Sequence, residues 1–276
     1  MNNAVVRTIS GTIFLAIMIG SLLASPVIFA LVMLLSIALM MTEYLQIGMG
    51  KSYKTAQILS VITGLLLYMF VFLYKGYGMD IKYFYLIFFP FSGIFISLLY
   101  EKNGESYNKH PFLICAILYA ALPFALTNLI IFDARGEYKP LLMLALFILT
   151  WTSDVGAYVI GTKFGQKRGH KLFPSISPKK SWEGFLGGLL FAIIAALLLY
   201  LLRLVDIGLI HTISIALIIN LFGVFGDLVE SQFKRNFDIK DSGKLIPGHG
   251  GLLDRFDGTL ISFPVTIAYI KLFSLI

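Results

Sequence analysis

Two aspartates at the ends of the last long polar segment, Gly226 to Gly258, have the residue type and placement of metal ligands. Asp227 directly follows one apolar run, and Asp254 comes shortly before the next. If the two runs are neighbouring helices, the carboxylates lie at a similar height and repel each other unless a cation or a proton lies between them. Carboxylate oxygens suit Mg²⁺, which keeps waters and shares the phosphate oxygens of its substrates. The placement therefore predicts a Mg²⁺ site.

The same polar segment has the features of an anion site. It alternates acidic and basic side chains, and glycines on both sides of His249 allow positive φ angles and bring backbone amides close to a ligand. Each element alone is unspecific, because a glycine-rich loop is usually a turn. Glu230 and Lys234 have the spacing of a helical ion pair. The combination of acids, bases and glycines is what indicates a phosphate.

A second polar segment, Gly161 to Gly184, places two lysines at a predicted helix start. Ser177 followed by Pro178 has the pattern of an N-cap and a first helical residue, which puts Lys179 and Lys180 in the first turn. The helix dipole disfavours positive charge there, so the lysines indicate that an anion such as phosphate binds. The alternative is that they contact lipid headgroups and enforce the positive-inside rule.

Asp154 lies in an apolar run long enough to cross a membrane. A lone carboxylate in such a run costs about 2.5–3.5 kcal/mol on insertion scales, so it needs a partner. We interpret Asp154 as a contact to a ligand or a metal. The alternative is a hydrogen bond to Ser153 or Thr152 where the helix leaves the membrane.

The composition indicates the elements that position these residues. Of the 276 residues, 58% are hydrophobic and 13% are charged, and the mean hydropathy is +0.86. Soluble domains are roughly 25% charged, so the sequence predicts an all-α polytopic membrane protein. The net charge of +7 does not indicate nucleic acid, because no soluble basic domain is present, and anionic lipid or phosphate fits a membrane chain better.

About nine transmembrane helices are predicted. The first apolar run, Gly11 to Met41, is too long for one span of about 20 residues, and Pro26 near its middle predicts two spans joined by a tight turn. If this run were one tilted helix, the count would be eight. The other predicted spans are 58–74, 81–100, 112–132, 140–160, 185–202, 207–225 and 259–276.

Lysines and arginines are distributed unevenly between the two sides of these spans. With nine spans and an inner N-terminus, 16 of the 22 lie on the inner side and 6 on the outer side. The positive-inside rule then predicts a cytoplasmic N-terminus. Two spans separate the two polar segments, so both lie on the same face. We expect an integral protein of the bacterial cytoplasmic (inner) membrane, with its site facing the cytoplasm.

The segment that begins at Ser231 resembles the signature of an enzyme family. It reads Ser231-x-Phe-Lys-Arg235-x4-Lys240-Asp241-x-Gly-x2-Ile-Pro247-x-His249-Gly-Gly-Leu-x-Asp254-Arg-Phe-Asp257. Every fixed position matches the phosphatidate cytidylyltransferases, also called CDP-diacylglycerol synthases, and the segments around Asp154 and Ser177 are similar to that family. The similarity covers roughly residues 151 to 258. We therefore divide the chain into N-terminal transmembrane helices, 1–140, and a C-terminal catalytic region, 141–276.

The resemblance implies transfer of CMP from CTP to phosphatidic acid. It also implies Mg²⁺ as cofactor and contact with membrane lipid. The implied metal ligands are Asp227, Asp254 and Asp257, and the implied catalytic residues are Asp227, Asp254, Asp241 and Lys240. The implied substrate-binding residues are Lys179, Lys180, Lys234, Arg235, His249, Arg255, Asp154 and Ser177. For Arg255 the alternative is an ion pair with Asp254 or Asp257. The sequence leaves open whether two copies form a homodimer.

Other classes of function agree less well with the sequence. A secondary transporter would have charged or broken helices near the membrane midplane and paired repeats, whereas the polar residues here concentrate at one membrane edge. A lipid-binding scaffold without catalysis would leave the acidic residues unexplained. Among enzymes, the alternative is a CTP-dependent enzyme that acts on another lipid, which the signature disfavours.

Overall fold

A computed structural model of the chain describes residues 3–100, 107–166 and 169–276. Within these residues, eight helices are long and apolar enough to cross a membrane. The prediction of an all-α polytopic membrane protein is confirmed. Three residues that contribute to the predicted inner-side charge, Lys102, Lys167 and Arg168, lie outside the described part of the chain.

The helices follow the predicted apolar runs closely. In chain order they are α1 (Asn3–Ala24), α2 (Pro26–Met49), α3 (Lys54–Tyr77), α4 (Phe88–Leu98), α5 (Pro111–Ala116), α6 (Leu122–Ile131), α7 (Pro140–Ile160), α8 (Trp182–Leu201), α9 (Leu209–Asn236) and α10 (Leu253–Leu272). A 3₁₀ helix, Ile81–Ile87, leads into α4, and a π-helical turn, Ile117–Ala121, joins α5 to α6. Another 3₁₀ turn covers Tyr107–Lys109, and another π-helical turn, Gly161–Gly165, follows α7.

The first apolar run forms two helices, as Pro26 predicts. Ser25 separates α1 from α2 in an extended conformation, and its hydroxyl accepts a hydrogen bond from the N–H of Ile28 at 3.2 Å. Pro26 occupies the first helical position, where a backbone N–H would have no partner within the helix, so the absence of this N–H costs no hydrogen bond. The sequence thus stops one span and starts the next within a single residue.

The last two helices carry much of the signature segment. α9 continues past its predicted end at Phe225 as far as Asn236, so Asp227, Glu230 and Lys234 are helical. α10 contains most of the ninth predicted span and begins with a charged first turn and a half. It is more polar than the eight helices that meet the length and hydropathy expected of a span.

The segment from Ser177 to Ser181 is a β-strand, so the predicted helix start at Ser177 is wrong. This strand, β2, pairs antiparallel with β1 (Lys171–Phe173). Proline disfavours the helical backbone conformation at the residue before it, here Ser177, and favours an extended conformation there. The Ser177–Pro178 pattern is therefore equally compatible with a strand. The real N-cap is Ser181, whose hydroxyl accepts the N–H of Gly184 at 3.2 Å.

The chain divides into two compact units. The first comprises Met1–Tyr138 and Asp241–Phe256, and the second comprises Lys139–Lys240 and Asp257–Ile276. The first unit therefore contains α1 to α6 and the glycine-rich loop, whereas the second contains α7, α8 and α9. The functional division at residue 140 stays a prediction.

Close helix packing in the second unit depends on small residues. A methyl group on Gly156 of α7 would lie 2.6 Å from the carbonyl oxygen of Gly187 of α8, closer than side chains approach a backbone. The hydroxyl of Ser153 donates to Oδ1 of Asn220 at 2.8 Å and links α7 to α9. Small residues and buried hydrogen bonds stabilise helix contacts in lipid, where apolar burial alone gives no preference.

Candidate active site

Three carboxylates meet in the second unit, where α9 lies against α10. Asp227 and Glu230 come from α9 and Asp257 comes from α10, and one oxygen of each lies within 4.8 Å of the others. The Glu230 side chain is fully buried, whereas that of Asp227 is 40% exposed. We call these three residues the acid cluster. It has the donor set and the dimensions to surround a divalent cation.

Three glycines allow the helices that carry the acid cluster to approach closely. A methyl group on Gly226 of α9 would lie 2.6 Å from the carbonyl oxygen of Asp257. One on Gly258 of α10 would lie 3.2 Å from the carbonyl oxygen of Gly223. The two backbones are therefore in direct contact beside the cluster, which brings carboxylates from different helices together.

Two lysines neutralise part of the acid cluster. Nζ of Lys180, from β2, lies 2.7 Å from Oδ2 of Asp227 and also donates to the carbonyl of Val224 at 3.3 Å. Lys234 forms an ion pair with Glu230 one helical turn away, so the pair that the sequence spacing predicted is present. The Ser231 hydroxyl donates to Oδ1 of Asp227 at 3.1 Å.

Asp154 adds a fourth negative charge in the same unit. Its charge acts on Asp257, together with those of Asp227 and Glu230. The neighbouring hydroxyls are used elsewhere: Ser153 donates to Asn220, and Thr152 donates to the carbonyl of Ile148 at 2.7 Å. The four carboxylates outnumber the two ammonium groups, so a bound cation would reduce the repulsion among the acids.

Asp254 belongs to the first unit and has a different environment. Its Oδ2 atom accepts hydrogen bonds from the N–H of Gly251 at 2.7 Å, the N–H of Ser242 at 2.8 Å and the hydroxyl of Ser242 at 3.0 Å. These donors are neutral and belong to the loop that precedes α10. Asp254 therefore fixes the shape of this loop, and its predicted role as a metal ligand stays a prediction.

Glu43 of α2 holds the start of α10. Its Oε1 accepts the N–H of Leu252 at 3.0 Å, and its Oε2 accepts the N–H of Leu253 at 2.8 Å. Oε2 also lies 3.1 Å from the hydroxyl of Ser242, whose single proton it shares with Asp254. A carboxylate at a helix N-terminus satisfies amides that have no partner within the helix.

His249 lies in the glycine-rich loop of the first unit, against α1. Its Nδ1 atom is 2.9 Å from the hydroxyl oxygen of Ser10, and the single proton of that hydroxyl can be donated either to Nδ1 or to the carbonyl of Pro247, which is also at 2.9 Å. Burial and the charges of Arg255 and Arg7 lower the pKa of His249 below its ordinary value. The imidazole is therefore neutral at pH 7, where it can both accept and donate one hydrogen bond.

The backbone of this loop has the conformation that its glycines predicted. Gly248 and Gly250 have φ angles of 75° and 86°. The expected orientation of the amides toward an anion is only partly realised, because the N–H groups of His249 and Gly251 donate to protein oxygens. The loop is therefore largely closed on itself.

The other predicted site residues are on the surface or near it. Arg235 donates to the carbonyl of Ile239 at 2.9 Å, and Arg255 is exposed close enough to His249 for its charge to lower the histidine pKa. The other residues in this group are Lys179, Lys240 and Asp241, which are exposed, and Ser177, which is partly buried. Asp241 and Arg255 belong to the first unit, whereas Lys179, Arg235, Lys240 and Ser177 belong to the second unit, which also contains the acid cluster.

Two important carboxylates were missed as site residues in the sequence. The sequence favours Glu230 as an ion-pair partner of Lys234 over a site residue, and Glu43 is absent from the predicted site. The available signal for Glu43 was the one used for Asp154, a lone acid at the end of an apolar run. Its partners are 209 and 210 positions away, which no local pattern indicates.

Comparison with known proteins gives consistent results. A family profile described as "Cytidylyltransferase family" matches residues 5–273. A phosphatidate cytidylyltransferase of Staphylococcus saprophyticus is 34% identical over 260 residues, which cover 94% of this chain and 96% of the relative. Those of Staphylococcus aureus and Staphylococcus epidermidis are 38% and 37% identical over 174 residues, 62% of this chain and 64% of each relative. These results agree with the family indicated by the segment from Ser231 to Asp257.

Proposed function

Because the chain belongs to the cytidylyltransferase family, we infer that it transfers CMP from CTP to phosphatidic acid, giving CDP-diacylglycerol and pyrophosphate. It is an integral membrane nucleotidyltransferase of phospholipid biosynthesis. The observation that supports a site for this reaction most directly is the acid cluster with its two lysines. This cluster combines metal-binding oxygens with cations that can contact phosphate.

The reaction needs alignment and charge neutralisation more than proton transfer. An oxygen of the lipid phosphate attacks the α-phosphorus of CTP, a new P–O bond forms, and the bond to the bridging oxygen breaks to release pyrophosphate. The lipid phosphate has a second pKa of about 6, so it is already anionic near neutral pH and needs no general base. Positioning and electrostatic stabilisation therefore provide most of the catalysis.

The acid cluster is the proposed Mg²⁺ site. Its donors are carboxylate oxygens that lie within 4.8 Å of one another, and the acids outnumber the two paired lysines. Asp227, Asp257 and Glu230 would hold the ion, and the role of Asp254 as a metal ligand stays a prediction from the sequence. A bound Mg²⁺ would supply Lewis-acid neutralisation of phosphate oxygens.

Basic side chains of the second unit are proposed to bind the phosphates. Lys180 is 21% exposed beside Asp227, so its ammonium group can contact a phosphate oxygen without leaving the carboxylate. Lys234 holds Glu230 in place through its ion pair. The exposed cations Arg235, Lys240 and Lys179 would attract the triphosphate, and Asp241 and Ser177 remain predicted contacts.

His249 and its neighbours are proposed to bind the lipid phosphate. If the Ser10 hydroxyl donates to Nδ1, the neutral imidazole carries its proton on Nε2 and can donate that N–H to a phosphate oxygen. Arg255 and Arg7 add positive charge around the ring. A site with one neutral donor and two cations suits a phosphate monoester.

We place the active site on the cytoplasmic face, where CTP is available. The excess of lysines and arginines on the predicted inner side supports this orientation. The oligomeric state is tested by light scattering of the detergent-solubilised protein, which distinguishes a homodimer from a monomer.

The proposed function is tested by incorporation of labelled CTP into lipid. Purified protein is supplied with phosphatidic acid and Mg²⁺, and wild type is compared with Asp227→Asn. The matched control is Asp238→Asn, which makes the same charge change on an exposed loop residue whose φ of 55° asparagine also adopts. We expect CDP-diacylglycerol from wild type and the control, and little from Asp227→Asn.

Two outcomes would contradict this proposal. A folded wild-type protein that forms no CDP-diacylglycerol would overturn the function, and product formed only with another lipid acceptor would identify a different CTP-dependent enzyme. Full activity of Asp227→Asn would contradict the assignment of Asp227 to the active site, but it would not contradict the proposed reaction.

A further inference from the structure

An apolar groove of about 460 Å³ lies between α1 and α2 in the first unit. α1 lines it with Ile9, Ile13 and Ile17, which recur every four residues and share one face. α2 lines the opposite wall with Leu35 and Leu39, again one turn apart. The volume is within the range of small-molecule sites, about 300–1,000 Å³, and the walls are almost wholly apolar.

One end of the groove is closed by the glycine-rich loop. Leu245, Ile246 and Pro247 form this end, together with Ser10 of α1. Ser10 also contacts Nδ1 of His249. The groove therefore shares a wall residue with the surroundings of the histidine that we propose binds lipid phosphate.

The polar end also carries positive charge. Nε of Arg7 donates to the carbonyl of Gly248 at 2.8 Å, and the charges of Arg7 and Arg255 both act on His249. An apolar groove with cations at one end is complementary to a molecule that has a hydrocarbon chain and an anionic head.

The length of the groove matches one membrane leaflet. Its lining on α1 runs from Val6 to Met18, which corresponds to about 18 Å at 1.5 Å per residue. Half of a hydrocarbon core of about 30 Å is about 15 Å. A chain that enters at the loop would thus reach approximately the bilayer midplane.

The groove is accessible from its side. Ile13 is 54% exposed and Leu35 is 62% exposed, so these walls are not covered by protein. In a membrane such apolar surface faces lipid tails, which allows a chain to enter laterally without passing through water.

We propose that this groove binds one acyl chain of the phosphatidic acid substrate and thereby positions its phosphate beside His249, Arg7 and Arg255. This inference rests on the proposed function, and it specifies how the lipid substrate is recognised. Packing of the chain against the groove walls contributes binding energy at a distance from the reacting phosphate, so the enzyme distinguishes long from short chains through this groove.

The test compares two tryptophan variants of α2. Leu35→Trp fills the groove, whereas Leu31→Trp adds the same side chain one turn away, at a residue that is 60% exposed and not part of the groove wall. The full-length protein in detergent is assayed with dioleoyl and with dihexanoyl phosphatidic acid. We expect Leu35→Trp to lower kcat/KM for the long-chain lipid at least tenfold relative to the short-chain one, because the indole occupies the space that a long acyl chain would fill and a short chain would not reach.

The control variant is expected to keep the wild-type ratio. If Leu35→Trp does not fold, Ile13→Trp and its control Leu23→Trp on α1 provide the same comparison. An unchanged ratio in a folded groove variant would overturn the inference while leaving the function intact. A wild-type protein inactive with both lipids would instead overturn the function itself.

Discussion

The acid cluster and the loop around Asp254 use carboxylates in opposite ways. Oδ2 of Asp254 is surrounded by neutral N–H and O–H donors at 2.7–3.0 Å. In the acid cluster, Asp227 and Glu230 are paired with lysines and lie beside Asp257. Neutral donors hold a carboxylate in place, so Asp254 stabilises the conformation of its loop. Grouped carboxylates that lysines neutralise only in part keep negative charge, which a cation can neutralise. One continuous polar segment, Gly226 to Gly258, therefore contributes both a scaffold and a proposed reactive centre.

The largest difference between the two regions is expected when one aspartate in each is changed to asparagine and both activity and stability are measured. Asp257→Asn removes a charge from the acid cluster, so we expect activity to fall about 10²–10³-fold with no loss of thermal stability. Asp254→Asn replaces an acceptor of three hydrogen bonds, so we expect a loss of about 2–3 kcal/mol in the free energy of unfolding, with or without Mg²⁺. Activity assays and denaturation in detergent measure the two effects separately. If Asp257→Asn unfolds the protein and Asp254→Asn does not, the two roles have been assigned the wrong way round.

A smaller effect is expected at Glu43, which supports the loop from α2. Glu43→Gln keeps the shape of the side chain but weakens the bonds to the N–H groups of Leu252 and Leu253, so we expect a loss of about 1–2 kcal/mol. The control is Glu137→Gln, an exposed glutamate of the same unit. Equal unfolding midpoints for both variants would argue against Glu43 as a support of the loop.

The smallest effect is a pH dependence of stability from His249. Its pKa is lower in the folded protein than in the unfolded chain, so the unfolded chain binds more protons as the pH falls below the ordinary histidine pKa of about 6.5. We expect stability to decrease below that pH and to level off below the folded-state pKa. His249→Gln should have a flatter curve over this range, measured by unfolding midpoints between pH 5 and 8. A steeper curve in the variant would contradict the assigned direction.

The spans and the family were predictable from the sequence because their signals are local. Apolar runs, Pro26 and the positive φ at Gly248 and Gly250 each depend on a few neighbouring residues. The i,i+4 pair of Glu230 and Lys234 is equally local. Where the physical cause lies within a few residues, the pattern is sufficient.

The site was predicted less completely because its contacts are distant or ambiguous in sequence. The Ser177–Pro178 pattern suits a strand as well as a helix start, and only pairing with β1 decides between them. The partnership of Glu43 with the start of α10 joins residues more than 200 positions apart. The grouping of Glu230 with Asp227 and Asp257 depends on the extension of α9 beyond its apolar run. These features come from tertiary packing.

The contact between α9 and α10 also bears on which ion the acid cluster would accept. Gly223, Gly226 and Gly258 bring backbone against backbone, so the distance between the helix that carries Asp227 and Glu230 and the helix that carries Asp257 is limited by main-chain atoms. Mg²⁺ has ligand distances of about 2.0–2.1 Å and Ca²⁺ of about 2.3–2.6 Å. If the acid cluster binds a cation as proposed, the close approach of α9 and α10 would favour the smaller ion, because a larger ion needs Asp257 to lie farther from Asp227 and Glu230.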